Sequence, residues 1–313
     1  MIIEILGAES LGVRGMSTFI STGNHKILID PGIALGYKGD GLLPHPFQVG
    51  VGEMIRSKIL ARLKEATDIV ISHFHGDHVP LKDANPYQLS LDSVRVKKDV
   101  VFRSKSREFL TPDKARRYDD LAAVFNLIDS PGSHYGPMTF SDPLPHGKPG
   151  SIEKTVMMTR VEENGFVFVH ASDIQLLNRE AIEVILDWAP DILLADGPPL
   201  YLSEVTKENI EEAWENALLL SENIGTVILD HHLLRDCRGL KWLEDLSAES
   251  KNKVVCAADF MKQDKMLLEA GRKKLYRDMP VSEDWHRKYV LGKTNTEKYI
   301  KMGRELYGTT KLQ

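Results

Sequence analysis

The sequence predicts an α+β fold, and three observations on the chain support this. Three successive stretches near its beginning, residues 2–6, 17–21 and 26–30, have strand-like apolar patterns and together predict a β-meander. Residues 53–66 carry apolar side chains at helical spacing and lead into an apolar strand at 68–71, so strand, helix and strand alternate. With 313 residues and 42% hydrophobic content the chain can bury a large core, and we predict one domain over residues 1–313.

Composition and charge exclude several classes of protein. A net charge of −5 gives no reason to expect a nucleic-acid or membrane surface. Two cysteines, Cys237 and Cys256, are too few for a disulfide framework and favour a reducing compartment. The first apolar residues are interrupted by Glu4 and lack the form of a signal peptide. We therefore expect a cytoplasmic protein without a membrane partner.

A cluster of possible metal ligands directly follows the strand at 68–71. His73, His75, Asp77 and His78 place four ligand side chains within six positions. His73 and His75 are two residues apart, so an extended backbone projects both imidazoles to the same side, and Gly76 lets the chain turn before Asp77. Crowding these groups at the end of a buried strand would be costly unless a cation compensated them. The pattern predicts a site for zinc or a similar divalent metal.

These four residues match the His-x-His-x-Asp-His signature of the metallo-β-lactamase superfamily without a gap, and the chain resembles that superfamily as far as about residue 235. The whole chain is also similar to an archaeal branch of predicted metal-dependent hydrolases, and resemblance to this branch does not indicate a substrate. The resemblance implies an αββα sandwich of two sheets between outer helices. It also implies that His73 and His75 hold one ion, that Asp77 and His78 hold a second, and that the remaining ligands follow later strands.

The third histidine of the first ion has two candidates. His146 lies in a Gly/Pro-rich loop, residues 142–151, and a hairpin with an Asn164-Gly165 turn follows it. The superfamily's third histidine stands in a comparable loop, and the distance from His146 to the next motif suits one hairpin. We therefore prefer His146 and keep His134 as the alternative.

The next motif is an apolar strand that ends in Ser172-Asp173. The superfamily usually has Gly-Asp here, with the aspartate bridging both ions. The resemblance therefore makes Asp173 the bridging carboxylate, with Ser172 in place of glycine. His170, in the same strand, is interpreted as a structural residue.

The last histidine is expected after the strand at 226–229, where Asp230-His231-His232 follows. In the tRNA-processing nucleases of the superfamily this histidine precedes an arginine by four places, and His231 with Arg235 has that offset. We prefer His231 as the ligand, with His232 as the alternative. Asp230 and His232 are candidates for supporting the ligands or transferring protons.

Two other segments have predicted roles around the site. Asp30 ends the third strand, where the resemblance implies an aspartate that supports the ligands, although a turn aspartate before Pro31-Gly32 fits the pattern equally. Residues 36–52 are predicted to form a surface loop in which His45 is solvent-facing or structural. Residues 79–129 are predicted to be a lid or insertion, with a strand near 100–102, a helix from 112 to 127 and a basic run that reads as a solvated face.

The rest of the chain continues the alternation. The pattern predicts helices at 180–188 and 207–221 and strands at 191–196, 226–229 and 253–256. Residues 239–313 are predicted to be a helical C-terminal extension on the outside of the core, with helices at 242–246 and 260–274.

Together, the resemblance implies a metal-dependent hydrolase with two divalent ions, zinc foremost, although the same ligands accept iron or manganese. His73, His75 and His146 would hold one ion, Asp77, His78 and His231 the other, and Asp173 would bridge. Hydroxide bound to both ions would attack a small ester, lactone or phosphodiester. Asp77, Asp173 and His232 are the predicted catalytic residues, and the leaving group would be protonated by His232, Asp173 or a metal-bound water. The predicted partner is a small molecule, phosphorylated ones included.

Three other functions remain open. A nucleic-acid phosphodiesterase is disfavoured because the span from Asp173 to His231 has no room for the large inserted domain of the RNA-cleaving branch. That span also contains no histidine to match the extra acid of the tRNA-processing branch. A non-heme iron redox enzyme is disfavoured because His75 stands where the diiron flavoproteins carry glutamate and no flavin domain is present. A non-catalytic metal-binding protein is disfavoured because every ligand position is filled.

Overall fold

A computed structural model describes residues 1–37, 41–148, 150 and 154–307. Within these ranges one mixed sheet contains six strands in sequence order. The first three pair antiparallel, and the rest continue in parallel. The six strands are β1 (Ile2–Ile5), β2 (Thr18–Thr22), β3 (His25–Ile29), β4 (Asp68–Ile71), β5 (Val101–Ser104) and β6 (Leu127–Asp129). The opening β-meander and the strand before the histidine motif are thereby confirmed.

Seven strands form a second sheet, in the order β15-β14-β13-β12-β11-β8-β7. Its strands are β7 (His134–Tyr135), β8 (Met138–Phe140), β11 (Thr159–Glu163), β12 (Phe166–Ser172), β13 (Ile192–Ala195), β14 (Thr226–Leu229) and β15 (Lys253–Val255). The last four in sequence pair in parallel, whereas β11 and β12 form the predicted hairpin around Asn164-Gly165. A separate short ladder joins β9 (Leu144–Pro145) to β10 (Thr155–Val156).

Nine helices lie in the described part of the chain: α1 (Pro46–Glu65), α2 (Pro112–Ala122), α3 (Arg179–Asp187), α4 (Lys207–Asn223), α5 (Cys237–Glu249), α6 (Ala257–Phe260), α7 (Arg272–Asp278), α8 (Trp285–Val290) and α9 (Glu297–Tyr307). Among the described helices, none combines the length and the apolar character that crossing a membrane requires.

Alternating residues of the first sheet pack into two different cores. Ile27, Ile29 and Val70 belong to a core that joins them to the second sheet and continues to α3, α4 and α5. Their neighbours Leu28 and Ile69 face the other way, into a core shared with α1 and the C-terminal helices. Because side chains alternate along a strand, both faces of this sheet are buried. The arrangement is two packed sheets between outer helices, which confirms the predicted αββα sandwich and its C-terminal helices.

The predicted surface loop at 36–52 is wrong in its second half. Helix α1 begins at Pro46, and His45 precedes it, buried, with its ring accepting a hydrogen bond from the Phe47 N–H. His45 is therefore structural and not solvent-facing. Gly50 lies inside the helix because α9 packs there: a Cβ at this position would lie 2.7 Å from the Ile300 side chain. The close approach of α9, invisible in the local pattern, explains the glycine.

Residues 79–129, predicted as a lid or insertion, contribute β5 and β6 to the first sheet. The helix predicted from 112 to 127 ends at Ala122, and residues 127–129 form β6. The lid role stays a prediction for the parts outside these strands.

The predicted C-terminal helix at 260–274 is wrong, because α6 ends at Phe260 and α7 begins at Arg272. The extension nevertheless packs on the core as predicted, with Leu275, Trp285 and Tyr299 buried beside α1. Residues 308–313 of the predicted extension lie outside the described residues.

Parallel strands bring their carboxyl ends to one edge, and this positions the site. The histidine motif follows β4, Asp173 follows β12, and residues 230–232 follow β14. Side chains from three loops therefore meet at this edge, where α/β sheets commonly bind ligands.

Candidate metal centre

The carboxylate of Asp173 lies at the centre of a cluster of imidazoles. Five ring nitrogens surround its Oδ2 atom, all of them Nε2. Their distances from Asp173 Oδ2 are 3.4 Å for His73, 3.4 Å for His78, 3.3 Å for His146, 3.7 Å for His231 and 3.3 Å for His232. Asp173 is fully buried. The structure thus brings together residues that are up to 159 positions apart in the chain.

One group of side chains has the composition predicted for the first ion. His73, His75, His146 and Asp173 each offer a ligand atom within 4.8 Å of the others. Among the described residues, His146 Nε2 and both oxygens of Asp173 have no hydrogen-bond partner. Buried polar atoms without partners are rare in folded proteins, and a bound ion would satisfy all three. The group therefore fits a divalent metal.

His134, the alternative to His146, lies elsewhere. It is exposed on β7, and its Nδ1 atom is 3.1 Å from the Thr139 hydroxyl. The structure places His146, and not His134, beside the motif histidines.

A second group consists of Asp77, His78 and His231, again with ligand atoms within 4.8 Å of one another. His78 Nε2 lies 3.4 Å from His231 Nε2. His232 forms a further group with Asp173 and His231. Both candidates for the last histidine therefore reach the cluster, His231 beside Asp77 and His232 on the side of His146.

Hydrogen bonds fix the orientation of the motif histidines. Asp30 is buried, and its Oδ2 lies 2.8 Å from His78 Nδ1, which leaves Nε2 of that ring to face Asp173. Asp30 also accepts hydrogen bonds from the backbone N–H of Ser72, at 2.8 Å, and from its hydroxyl, at 2.6 Å. The Ser72 hydroxyl in turn lies 3.0 Å from His73 Nδ1. Asp30 has the contacts expected of a residue that supports the ligands.

Ser172, in the position where the superfamily usually has glycine, has a left-handed backbone with φ of 56°. Its hydroxyl lies 2.7 Å from that of Ser72 and 3.4 Å from His73 Nδ1. The serine therefore keeps the backbone conformation that favours glycine and adds a polar contact to a predicted ligand.

Asp230 holds the backbone from which His231 projects. Its carboxylate accepts hydrogen bonds from the N–H groups of Ser10, His231 and Ala257 and from the Ser10 hydroxyl. The Gly15 N–H donates to His231 Nδ1 at 3.2 Å. Asp230 thus supports His231 through the main chain and does not touch its ring.

His170, the buried histidine of β12, has the structural place predicted for it. Its Nε2 lies 3.0 Å from the Met16 carbonyl oxygen, which ties β12 to the loop after β1.

Burial and neighbouring charges set the protonation of the cluster. Burial lowers the pKa of His73, with a further contribution from His78, and it lowers the pKa of His75 and His231 in the same direction. Burial opposes the charged form of His78 too, but the carboxylates of Asp173 and Asp30 outweigh it and hold that pKa well above its usual range. Neutral imidazoles carry the lone pair that a metal needs, so three of these rings are suited to be ligands at neutral pH.

For the two carboxylates of the cluster, Asp77 and Asp173, neighbouring positive charges outweigh the effect of burial. Burial alone would raise the pKa of Asp173 and of Asp77, but the facing histidines, and Arg235 in the case of Asp77, lower both pKa values well below the usual range. Both side chains are therefore ionised at neutral pH, as carboxylate ligands of a metal would need to be.

Sequence reasoning missed several side chains around the cluster. In the sequence, Arg235 stands out only by its offset from His231, yet its guanidinium donates to Asp77 and to the buried Glu9. The Tyr201 hydroxyl lies 3.2 Å from His232 Nδ1, and the Gln175 amide nitrogen 3.4 Å from His146 Nδ1. No local pattern marked Glu9 or Tyr201, whereas Gln175 lies only two positions after Asp173.

Several basic residues of the segment 97–117 are engaged within the protein. Arg107 pairs with Asp119, and Arg116 with Asp83. Arg117 donates to the Phe74 carbonyl oxygen, and the buried Lys105 donates to that of Thr155. These four contacts are structural.

Comparison with known proteins gives relatives along the whole chain, although no family model matches it. A UPF0282 protein of Methanosarcina mazei is 49% identical over 302 residues, which are 96% of this chain and 100% of the relative. A UPF0282 protein of Thermococcus gammatolerans is 32% identical over 292 residues, 87% of this chain and 94% of the relative. Among solved structures, the isothiocyanate hydrolase from Delia radicum gut bacteria has a TM-score of 0.50 and 15% identity, covering 82% of this chain and 95% of that one. At this identity the likeness concerns the fold alone.

Proposed function

This chain belongs to the UPF0282 family of archaeal proteins and has the metallo-β-lactamase fold, and from its site we propose that it is a metal-dependent hydrolase of a small ester, lactone or phosphodiester. One observation carries the proposal. Asp173 and His146 present three buried atoms without hydrogen-bond partners among the described residues, in the middle of a ring of imidazoles. Burying these polar and charged side chains has a large desolvation cost, and bound cations would compensate that cost.

The proposed ligands follow the two groups of the cluster. His73, His75 and His146 would hold one ion and Asp77, His78 and His231 the other, with Asp173 shared between them. When bound there, a pair of divalent ions would supply a water of lowered pKa as the nucleophile of the hydrolysis. We propose zinc, because imidazole and carboxylate ligands suit it, although the same set accepts iron or manganese.

His232 is proposed to donate a hydrogen bond to the leaving-group oxygen, whose proton would come from a metal-bound water, because a neutral imidazole is too weak an acid to transfer its own proton. Arg235 Nη1 donates to the Tyr201 hydroxyl at 3.1 Å, so that hydroxyl directs its own proton to His232 Nδ1. A neutral imidazole whose Nδ1 accepts carries its proton on Nε2, which is the atom that faces Asp173. Burial lowers the pKa of His232 to about 4, so the ring is neutral at physiological pH. Its Nε2–H group is therefore positioned to donate into the cluster.

A small substrate is favoured over a nucleic acid. The engaged basic side chains of the segment 97–117 and the net charge of −5 offer little attraction to a polyanion. Tyr201 is 37% exposed and its hydroxyl contacts His232, so it is proposed to contact the substrate. We propose a cytoplasmic location, since both cysteines are free.

The proposal is tested by elemental analysis of protein purified without added metal, together with hydrolysis assays on p-nitrophenyl acetate, a homoserine lactone and bis-p-nitrophenyl phosphate. The Asp173→Asn variant should lose metal and activity together. Asp68→Asn is the matched control, because Asp68 is also a buried aspartate but pairs with His25 at the start of β4. It should retain both properties.

The substrate hydrolysed fastest would define the class of reaction. A folded wild-type protein without metal, or an Asp173→Asn variant with wild-type activity, would refute the proposal. Bound iron without any hydrolysis would support the redox alternative instead.

A further inference from the structure

The two groups of proposed ligands differ in whether an arginine of the protein already contacts their polar atoms. Within the first group, His73 Nε2 and His75 Nδ1 contact each other, at 2.8 Å. In the first group, His146 and Asp173 keep atoms without hydrogen-bond partners among the described residues. In the second group, Arg235 Nη2 donates to Asp77 Oδ2 at 2.9 Å and lies 2.7 Å from His231 Nε2. Two of the three side chains in the second group therefore already contact a permanent cation of the protein.

The guanidinium of Arg235 is also held from its other side. Its Nε donates to Glu9 Oε1 at 2.7 Å, and its Nη1 donates to the Tyr201 hydroxyl at 3.1 Å. The side chain of Arg235 is 9% exposed and that of Glu9 only 3%. Removing a buried charge from its partner is unfavourable, so the guanidinium remains beside Asp77 in the resting protein.

Both ring nitrogens of His231 already have an N–H group of the protein beside them. Gly15 donates to its Nδ1 at 3.2 Å, while Arg235 lies against its Nε2. A neutral imidazole accepts at only one nitrogen, so two N–H groups already exceed what this ring can accept before any ion is added.

We infer that the two cation positions are unequal and that Arg235 is the resident cation of the second position. The inference rests on the proposed metal-dependent function and deepens it. An ion bound by His73, His75, His146 and Asp173 would satisfy unpartnered atoms. An ion bound by Asp77, His78 and His231 would compete with Arg235 for two of its ligands and be repelled by its charge. The protein therefore binds one divalent ion tightly and a second one weakly.

The test is a titration of metal-free protein with Zn²⁺, followed by calorimetry and by elemental analysis after dialysis. The wild type should bind one ion tightly, with the second bound at least about tenfold more weakly because of the repulsion between close charges. The Arg235→Met variant, which keeps a long side chain but no charge, should bind the second ion at least about tenfold more tightly than the wild type does.

Two further variants make the result interpretable. Arg14→Met is the matched control, because Arg14 is an arginine that pairs with Glu269 and contacts none of the proposed ligands. It should bind zinc as the wild type does. The double variant Glu9→Gln with Arg235→Met replaces both members of the buried Glu9–Arg235 pair by side chains that carry no charge. It therefore stays informative if Arg235→Met alone fails to fold, which thermal unfolding would reveal.

Two ions of equal affinity in the wild type would overturn the inference while leaving the proposed function intact. Unchanged affinity for the second ion in both variants that lack Arg235 would also overturn it. One tight ion without hydrolysis of any substrate would instead refute the proposed function and leave the inference standing. A wild type that binds no zinc would refute both.

Discussion

Replacing Asp30 by asparagine should show how much the residues that support the proposed ligands contribute to metal binding, because every proposed ligand stays in place. Asp30 accepts hydrogen bonds from the Ser72 N–H on Oδ1 and from the Ser72 hydroxyl and His78 Nδ1 on Oδ2. Asparagine has the same shape and keeps the Oδ1 acceptor, but it presents an NH₂ group to His78. A metal ligand must be a neutral imidazole, and a neutral His78 that accepts from this NH₂ group carries its proton on Nε2, the atom that faces Asp173.

Two magnitudes follow for Asp30→Asn. The loss of a hydrogen bond to a charged, buried carboxylate should lower the free energy of unfolding by about 1.5–3 kcal/mol. The wrong tautomer of His78 should weaken zinc binding by about 10–100-fold, the usual effect of removing a residue that orients a metal ligand. Zinc titration and urea unfolding measure the two effects separately, and the ¹⁵N shifts of His78 report its tautomer.

Asp68→Asn again provides the comparison, since it disrupts another contact between a histidine and a buried aspartate, His25 Nδ1 to Asp68 Oδ2 at 2.8 Å. It should lower stability without changing zinc affinity. If Asp30→Asn binds zinc as tightly as the wild type, or if Asp68→Asn weakens zinc binding equally, the reasoning about His78 is wrong.

Three further predictions use other parts of the chain. Ser172→Ala should lower the free energy of unfolding in urea by about 1–2 kcal/mol, because a buried hydroxyl contact is lost, and Ser172→Gly should be about 1 kcal/mol more stable than the alanine variant, because glycine tolerates the positive φ. His146→Ala should lower zinc content in elemental analysis, whereas His134→Ala should not, since His134 is exposed and distant from the cluster. Burial lowers the pKa of His45 to about 4, so the folded state keeps this ring neutral; stability is complete above the unfolded pKa of about 6.5 and falls by about 3 kcal/mol as pH drops to about 4. His45→Asn can still cap α1 but does not titrate, so its free energy of unfolding, measured in urea, should change less between about pH 6.5 and pH 4 than that of the wild type.

The elements that the sequence predicted well are those whose buried positions show as a local pattern of apolar residues. Residues 68–71 and 226–229 form strands at the predicted positions because each is an apolar run bounded by polar residues. Helix α1 begins seven residues before the predicted start at residue 53, since Gly50 and Gly52 look like loop residues in the sequence, whereas in the fold Gly50 leaves room for the Ile300 side chain of α9 and Gly52 lies against Leu35. Packing between elements distant in the chain leaves no local period, and it decided the places where the prediction was wrong.

The candidate site likewise contains residues that a local motif predicts and contacts that only the fold creates. The motif from His73 to His78 is local, so its residues could be selected from spacing and ligand chemistry alone. The contacts that orient and oppose those ligands are not local: Asp30 is 48 positions from His78, and Arg235 is 158 positions from Asp77. Only the folded chain reveals that a cation of the protein itself lies beside one of the two ligand groups.

Backbone strain at the cluster, like its buried charged side chains, indicates that this edge of the sandwich is a functional site. Asp30 after β3, Ser172 at the end of β12 and His231 after β14 have φ values of 49°, 56° and 40°, although none is glycine. Each such residue costs the fold on the order of 1–2 kcal/mol, yet these three occur together at one edge of two sheets. At all three positions the unusual backbone lies in the turn that directs a ligand, or the residue supporting one, into the cluster. The sandwich thus combines backbone strain, buried charge and unpartnered atoms at one edge, and the proposed cation would offset the buried charge and satisfy the unpartnered atoms.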